Sequence, residues 1–278
     1  AAPLHVGEAL DKYLFETKES VILTSSTLST AGSFRYVKDR LGLAQCHEVL
    51  VDSPFDYASS TLLYVPNDIP EPERPNYQRQ VEQAVIELCR ATGGRALVLF
   101  TSYGQLGQTL KGVRRALEEQ RIQVLAQEPG GRGPSRRQLL ENFKKNERAV
   151  LLGAASFWEG VDVVGDALSL LIITRLPFAV PTDPVVAARS EQCDDPFNEY
   201  SLPRTILRFK QGFGRLIRSK TDRGVVVVLD RRIQSKFYGQ AFIRSLPRCT
   251  LRSGPLQAAP NAAAAWLGGQ YLAAGDEG

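Results

Sequence analysis

The stretch ALVLFTSYGQLGQTLKGVRRALEEQRIQVLA, residues 96–126, decides the fold. It opens with an apolar run at residues 96–101 and closes with a second apolar run at residues 123–126. Between the two runs, apolar side chains recur at the spacing that places them on one face of a helix. These side chains are Leu106, Leu110, Val113 and Leu117. A strand, an amphipathic helix and a second strand form a βαβ unit, which predicts that the two strands are parallel.

The same alternation continues on both sides of this unit. A helix that begins near residue 75 and ends near residue 92 is predicted from one apolar face, formed by Val81, Ala84, Val85 and Leu88. Several strand-like runs are almost entirely apolar, which is typical of a sheet covered on both faces. The predicted strands are residues 21–24, 48–52, 61–65, 96–101, 123–126, 149–152, 169–174 and 225–229. The fold class is expected to be α/β, with an open, mostly parallel sheet and helices on both faces.

Residues 66–75 contain four prolines among mostly polar neighbours and interrupt this pattern. Because proline disfavours helix in the residue before it, this segment is expected to be an extended linker. We therefore expect a connecting region at residues 1–74 and the main domain at residues 75–250. After Leu251 the sequence is rich in Ala and Gly, which indicates a tail or a peripheral helix rather than core at residues 251–278.

Composition excludes several classes of protein. The chain has 278 residues, of which 43% are hydrophobic and 23% charged, and its formal net charge is +4. These values exclude wholesale disorder, collagen and coiled coil. The sequence contains no run of about 18 apolar residues, so we expect no association with a membrane. The net charge is too small to indicate a nucleic-acid partner by itself.

The four cysteines lie far apart and include no C-x-x-C pair. They are Cys46, Cys89, Cys193 and Cys249. Neither a metal site nor an iron–sulfur cluster is expected from this chain, and such cysteine usage indicates a reducing, cytoplasmic compartment. The chain begins with Ala1 rather than Met, and we expect it to be part of a longer protein.

Hydroxyl side chains follow three of the predicted strands. They occur at residues 25–27, at Thr101 and Ser102, and within GAASFWEGVD at residues 153–162. Ligands of open parallel sheets bind beyond the carboxyl ends of the strands, where hydroxyl groups can donate to phosphate oxygens. Ser and Thr are also preferred helix N-caps, and the pattern alone favours capping for residues 25–27, Thr101 and Ser102.

Residues 200–220 carry the most informative pattern. Read as one helix, they form a narrow apolar stripe of Leu202, Ile206, Phe209, Phe213 and Leu216. The opposite face carries Arg204, Arg208, Gln211, Arg215 and Arg218. Six basic residues and no acid lie between Glu199 and Asp222. Because like charges repel at this spacing, the row indicates a face turned toward an anion or toward acids elsewhere in the fold; a solvated basic face is the alternative.

Two glycines interrupt this predicted helix. Gly212 and Gly214 each cost about 1 kcal/mol in a helix interior relative to Ala. A close backbone approach or a bend is therefore expected at these positions. Arg rather than Lys on the same segment suits the forked recognition of phosphate oxygens.

Four short motifs, in sequence order, resemble those of superfamily-2 helicases. QGFGRLIR at residues 211–218 matches the Q-x-x-G-R-x-x-R pattern of their motif VI. SFWEGVD at residues 156–162 resembles motif V of the DinG branch of the XPD-like helicases. TSSTL at residues 24–28 is similar to motif III, and FTSY at residues 100–103 resembles motif IV. The resemblance covers roughly residues 20–250.

The resemblance implies the second RecA-like motor domain of an ATP-dependent DNA helicase that moves on single-stranded DNA, usually 5′ to 3′. Its implied partners are single-stranded DNA and the N-terminal RecA-like domain of the same protein, with ATP and Mg²⁺ held between the two domains. Matching motif positions assign catalytic roles to Arg215, Arg218 and Gln211. They assign nucleotide-binding roles to Glu159, Gly160, Asp162 and Gly214. They assign nucleic-acid contacts to Thr101, Ser102, Ser156 and Phe157, so the resemblance favours that role over capping for Thr101 and Ser102.

One departure from the family pattern limits what this chain can do. It contains no G-x-x-x-x-G-K-[ST] loop, and GGRGPS at residues 130–135 lacks the lysine. The resemblance implies that this loop, most of the Mg²⁺ ligands and any iron–sulfur cysteines belong to the first domain. We expect no ATPase activity from this chain alone. The alternative function is a stand-alone single-stranded nucleic-acid-binding or adaptor module, and Trp158 is either a packing or a base-stacking residue.

Overall fold

A computed structural model describes residues 3–131, 133–158, 168–217 and 219–268. Within these residues, seven strands form one sheet in the order β3-β4-β2-β5-β6-β1-β7. The strands are β1 (Thr61–Pro66), β2 (Ala96–Leu99), β3 (Gln123–Ala126), β4 (Ala149–Gly153), β5 (Leu170–Ile173), β6 (Gly224–Val228) and β7 (Thr250–Gly254). Every pairing between them is parallel. The predicted fold class is confirmed.

Helices cover both faces of the sheet. They are α1 (Gly7–Leu10), α2 (Arg35–Leu41), α3 (Tyr57–Ser60), α4 (Tyr77–Thr92), α5 (Tyr103–Glu118), α6 (Arg136–Lys145), α7 (Ala155–Trp158), α8 (Pro184–Ser190), α9 (Leu202–Phe213), α10 (Arg232–Ser235), α11 (Gly239–Arg244) and α12 (Ala259–Trp266). Two π-helical turns lie at Asp11–Phe15 and Pro196–Ser201, and two 3-10 turns at Pro129–Gly131 and Leu256–Ala258. No helix among the described residues is both long enough and apolar enough to cross a membrane.

The two faces of the sheet bury two separate apolar cores. Leu97 and Leu99 of β2 point into one core, which contains side chains from α6, α7, α9 and α11. Ala96 and Val98 point into the other, which contains side chains from α4, α5 and α12. Successive side chains of a strand point to opposite faces, so a strand buried on both sides must be apolar at every position. This explains why the sequences of the interior strands are nearly continuous apolar runs.

Two of the predicted strands are absent from the sheet. Residues 21–24 and 48–52 are irregular, and Ile22, Val49 and Val51 expose 87%, 76% and 80% of their surface. Both runs have a strand-like composition, but none of the seven strands of the described residues pairs with them. A segment with high strand propensity forms a strand only where another strand pairs with it. The prediction is therefore wrong for these two runs in this chain.

The sheet extends past both expected domain boundaries. β1 precedes the proline-rich segment and lies between β6 and β7, while β7 follows residue 250 and pairs with β1. α12 contacts α4, and its Ala259 and Ala263 are buried in the second core. Residues 259–266 therefore form a helix, one of the two expected forms, but its buried face belongs to the core. Most of β7 is exposed, so this edge strand lacks the apolar run that identified the interior strands.

The predicted basic helix ends earlier than its pattern suggests. α9 stops at Phe213, and Gly214 caps it with φ −66° and ψ 2°. Arg215 follows in a turn in which its N–H donates to the carbonyl oxygen of Gly212 at 3.2 Å. The apolar stripe is confirmed for the helix itself, because Ile206, Phe209 and Phe213 are buried.

Close packing explains the first of the two glycines. A Cβ atom at Gly212 would lie 3.0 Å from Cε3 of Trp158 and 3.2 Å from Cδ1 of Leu99. Both neighbours are fully buried in the core. The expectation of a close approach is therefore confirmed at Gly212. A Cβ atom at Gly214 would approach only the carbonyl oxygens of Lys210 and Gln211, at 3.3 and 3.9 Å, so Gly214 is not required by packing against other elements.

We expect Gly212→Ala to lower the free energy of unfolding by about 1 kcal/mol. Crowding in a packed core costs about 1–3 kcal/mol, and the better helix propensity of Ala recovers about 1 kcal/mol of it. Gly214→Ala is the matched control and should leave stability unchanged or slightly raised. Urea unfolding followed by circular dichroism measures both. Equal stability of the two variants would show that Trp158 moves aside and that Gly212 is not needed for packing.

Candidate functional site

Side chains from three neighbouring strand ends meet at the carboxyl edge of the sheet. Gln127 follows β3, and its Nε2 donates to Oη of Tyr103 and to Oγ of Ser156, both at 2.9 Å. Its Oε1 accepts the N–H of Ala154 at 2.9 Å. Tyr103 begins α5 after β2, and Ser156 lies in α7 after β4. We name Tyr103, Gln127 and Ser156 the edge cluster.

The edge cluster has a defined donor direction. A backbone N–H can only donate, so Oε1 of Gln127 must face Ala154 and Nε2 must face the two hydroxyl groups. The hydroxyl groups of Tyr103 and Ser156 accept these hydrogen bonds, which leaves the hydrogen of each available to donate. Tyr103 and Ser156 are exposed. The arrangement therefore presents hydroxyl donors outward, where they suit an acceptor such as a phosphate oxygen.

The structure assigns a local role to Ser102. Ser102 caps α5, because its side chain accepts the N–H of Gln105 at 3.2 Å. The capping interpretation is therefore confirmed for Ser102, which remains exposed. Thr101 lies beside it and is half-buried. A nucleic-acid contact by Thr101 and Ser102 stays a prediction that this position at the sheet edge permits.

Two aromatic residues of α7 belong to the core. Phe157 is fully buried, so its side chain is not placed to contact a nucleic acid, and that expectation is wrong for the side chain. Gly153 accommodates it, since a Cβ atom there would lie 2.5 Å from Cβ of Phe157. Trp158 is also fully buried and donates its Nε1–H to the carbonyl oxygen of Phe100 at 2.9 Å. Of the two open interpretations of Trp158, the structure supports packing.

The basic face of α9 rests on aromatic rings. The guanidinium carbon of Arg208 lies 5.5 Å from the ring centroid of Trp158, and that of Arg204 lies 5.8 Å from the ring centroid of Tyr200. Arg208 also donates to the carbonyl oxygen of Ala155 at 3.4 Å. Stacked guanidinium groups keep their edges free for planar hydrogen bonding. The alternative of a freely solvated basic face is therefore not what the structure shows for these two residues.

The predicted catalytic residues lie at the end of α9. Gln211 is half-buried in its last turn, Gly214 caps it, and Arg215 is half-buried in the turn that follows. Leu216 and Ile217 are buried and anchor this turn to the core. The remaining predicted site residues, Arg218, Glu159, Gly160 and Asp162, lie outside the described residues.

A lysine of α9 holds the segment that follows the TSSTL motif. Nζ of Lys210 donates to the carbonyl oxygen of Ser29 at 2.7 Å and approaches its Oγ at 3.4 Å. Burial lowers the pKa of Lys210 below its ordinary value. The N–H of Ala31 donates to Oγ of Ser245 at 2.8 Å. Two hydrogen bonds therefore tie residues 29–31 to the helices of the main sheet, and the sequence did not predict either of them.

A buried ion pair braces the ends of β5 and β6. Asp230 is fully buried and accepts hydrogen bonds from the N–H of Leu176 at 2.8 Å and from Nη2 of Arg232 at 2.7 Å. Nearby, the buried hydroxyl of Tyr77 donates to the carbonyl oxygen of Thr174, and burial raises the pKa of Tyr77. These groups satisfy one another, so we assign them to structure rather than to ligand binding. Among the described residues, no group of three or more His, Cys, Asp or Glu side chains could hold a metal ion.

The fold is similar to that of known helicases. A solved XPD helicase structure superimposes with a TM-score of 0.68 at 18% identity, over 90% of this chain and 45% of that one. This likeness confirms the RecA-like architecture.

The sequence comparisons identify the family. The ATP-dependent DNA helicase YoaA of Haemophilus influenzae is 39% identical over 249 residues, which cover 88% of this chain and 38% of the relative. The 3′-5′ exonuclease DinG of Bacillus subtilis is 37% identical over 256 residues, which cover 89% of this chain and 27% of the relative. The chain thus spans well under half the length of these relatives. The family described as the helicase C-terminal domain matches residues 85–249. This chain therefore belongs to the helicase C-terminal domain family and resembles its DinG and YoaA members.

Proposed function

We propose that this chain is the second motor domain of an ATP-dependent DNA helicase of the DinG type. The observation that carries the proposal is the family match, which spans both the edge cluster and the basic end of α9. The N-terminal RecA-like domain of the same protein completes the motor, which moves 5′ to 3′ along the DNA strand. The working compartment is the cytoplasm.

The proposed nucleotide chemistry uses the end of α9. Hydrolysis of ATP spreads negative charge over the γ-phosphoryl oxygens, and guanidinium groups supplied across a domain boundary stabilise that charge. Arg215 and Arg218 supply these groups in our proposal, and Gln211 contacts the γ-phosphate. Guanidinium and amide groups are donors that fit phosphate oxygens, so the residues present suit the nucleotide. Glu159, Gly160, Asp162 and Gly214 complete this side of the site.

The rest of the ATP site lies outside this chain in our proposal. Mg²⁺ neutralises phosphate charge and is held mainly by the first domain, which also supplies the phosphate-binding loop. An iron–sulfur cluster, if the full-length protein carries one, belongs to that domain too. This division of labour is supported by the sequence, which has no phosphate-binding loop of the G-x-x-x-x-G-K-[ST] type.

The proposed nucleic-acid track runs over the edge cluster. Thr101, Ser102 and Ser156 lie at the carboxyl edge of the sheet, and the outward hydroxyl of Tyr103 joins them. Hydroxyl groups and arginines contact the phosphate backbone without reading the bases. Binding is therefore expected to be insensitive to sequence and strongly dependent on salt.

ATP hydrolysis by the full-length protein and by this chain tests the proposal. We expect the full-length protein to hydrolyse ATP faster when single-stranded DNA is added, and this chain alone to show no turnover. An assay of released phosphate measures both, and single-stranded RNA of the same length serves as the comparison strand. If the full-length protein binds DNA but hydrolyses no ATP, the motor assignment fails and the binding module is the better interpretation.

A further inference from the structure

A second group of cations lies at the other end of α9, away from Arg215. Arg40 of α2 and Arg204 of α9 both lie over the ring of Tyr200, with guanidinium carbons 5.5 and 5.8 Å from its centroid. Tyr36 of α2 and Arg189 of α8 complete the group. We name Tyr36, Arg40, Arg189, Tyr200 and Arg204 the arginine–tyrosine cluster.

The charges of the cluster act together on Tyr36. Burial raises the pKa of Tyr36, and the nearby Tyr200 raises it further. The positive charges of Arg40, Arg204 and Arg189 act in the opposite direction and lower it. The three guanidinium groups come from three different helices, and all of them lie near enough to act on the Tyr36 hydroxyl.

Several polar atoms of the cluster are buried without a hydrogen bond. In the part of the chain that the structure describes, Oη of Tyr200, Nη1 of Arg204 and Nε of Arg189 have no partner. Tyr200 is only 1% exposed. Buried polar groups are nearly always hydrogen-bonded, so three such atoms in one place call for an explanation. The three arginines are half-buried, so each residue keeps part of its surface exposed.

Among the described residues, no carboxylate forms an ion pair with Arg40, Arg189 or Arg204. Burial raises the pKa of the Cys193 thiol, Glu199 and Asp194 lie close enough to raise it further, and Arg40 lowers it. Exposed arginines elsewhere form ion pairs along their own helix, as Arg115 does with Glu119 at 2.8 Å. Asp39, one position before Arg40 in α2, pairs instead with Arg35 at 3.8 Å. Glu191, Asp194 and Glu199, which lie close in sequence, are exposed. Three adjacent cations that pair with no carboxylate repel one another unless an anion joins them.

The cluster continues the basic face that begins at the edge cluster. Arg208 lies one turn after Arg204 on α9 and donates to Ala155, which precedes Ser156 of the edge cluster. Residues four apart on a helix lie on the same face, about 6 Å apart along its axis. A strand that contacts Ser156 and Arg208 would therefore reach Arg204 next.

We propose that the arginine–tyrosine cluster binds a phosphate group. Arginine presents forked donors that match two phosphate oxygens, and a tyrosine hydroxyl adds a further donor. The continuity with Arg208 and Ser156 favours a phosphodiester of single-stranded nucleic acid as the source, which rests on the proposed function. A free phosphate is the other source of the same chemistry.

Binding of a labelled thymidine oligonucleotide to this chain tests the proposal. Fluorescence anisotropy at several salt concentrations gives both the affinity and its salt dependence. We expect Arg204→Ala to weaken binding about tenfold. We also expect the slope of log K against log salt to fall by about 0.7, the amount for one phosphate contact on a single strand. Arg204→Lys should keep the slope and lose part of the affinity, because lysine retains the charge but not the fork.

Arg115→Ala is the matched control, because Arg115 is a 92% exposed arginine whose helix packs in the core that α9 does not join. It should leave affinity and slope unchanged, and circular dichroism verifies that all variants fold. Inorganic phosphate, added to the chain without DNA, forms the second arm. Protection of the parent chain against thermal unfolding by phosphate, lost in Arg204→Ala, supports the site with free phosphate as its source.

If Arg204→Ala matches the parent chain in both arms, the cluster is not a phosphate site. That result leaves the proposed function intact as long as the parent chain binds the oligonucleotide. If the parent chain does not bind the oligonucleotide at any salt concentration, the proposed nucleic-acid track fails, and the phosphate arm alone decides whether the cluster is a site.

Discussion

Replacement of Arg215 by alanine in the full-length protein is expected to lower kcat for ATP hydrolysis by about 10³-fold or more. An arginine that reaches the γ-phosphoryl group from a second domain stabilises charge that develops only in the transition state, so its loss acts on kcat rather than on KM. The fold should survive, because Arg215 is half-buried in a turn that Leu216 and Ile217 anchor. A steady-state assay with saturating single-stranded DNA measures the effect.

Two further variants sharpen this prediction. Arg215→Lys should also be strongly impaired, because an ammonium group lacks the planar fork of a guanidinium. Arg115→Ala, on the other side of the sheet, should hydrolyse ATP at the parent rate. A kcat for Arg215→Ala within tenfold of the parent value would remove Arg215 from the catalytic machinery and leave the α9 turn with a structural role.

The largest loss of stability is expected from Trp158→Ala. Truncation of a fully buried large aromatic side chain costs about 3–5 kcal/mol, because it removes apolar contacts and leaves a cavity. The cavity would open beneath Gly212 and beside Leu99, and the carbonyl oxygen of Phe100 would lose its donor. Urea unfolding of this chain, followed by circular dichroism, gives the free energy of unfolding.

Trp158→Phe separates the contribution of packing from that of the hydrogen bond. Phenylalanine keeps most of the packing but cannot donate to Phe100, so we expect a loss of about 1–3 kcal/mol, the cost of one unsatisfied buried acceptor. Trp266→Phe controls for the other tryptophan, which is half-buried at the end of α12 and should be less sensitive. Full stability of Trp158→Ala would mean that the residue is available for contact with a base after all.

The sequence predicts strands β1 to β6 well, but it misses β7 and predicts two strands that the sheet does not contain. β1, β2, β4, β5 and β6 are nearly continuous apolar runs because both of their faces are buried, and such runs are visible in a sequence. β3 lies at one edge of the sheet and is only partly buried, but three of its four residues are apolar. β7 is missed since an exposed edge strand has no such run. Residues 21–24 and 48–52 have the composition of strands but no partner strand among the described residues, and pairing is a tertiary property that local pattern does not contain.

The candidate site is likewise predictable from the sequence only in part. The rule that ligands bind beyond strand ends leads to Ser102 and Ser156, because it needs only strand positions. It does not reveal Gln127, whose role depends on contacts with residues 24 and 29 positions away along the chain. A motif also does not show which way a side chain points. The motif position of Phe157 predicts a nucleic-acid contact, but its side chain lies in the core. Two different causes place glycine in this segment: close packing at Gly212 and the end of the helix at Gly214.

The hydrogen bond between Lys210 and Ser29 tolerates substitution of Ser29 better than substitution of Lys210. Its 2.7 Å acceptor is the main-chain oxygen of residue 29, which every amino acid provides, whereas the donor exists only if residue 210 carries a long basic side chain. A substitution at position 29 therefore leaves this hydrogen bond in place as long as the new side chain fits. A substitution at position 210 by a residue without a long basic side chain removes this bond, and of the two hydrogen bonds that tie the segment only that from Ala31 to Ser245 then remains.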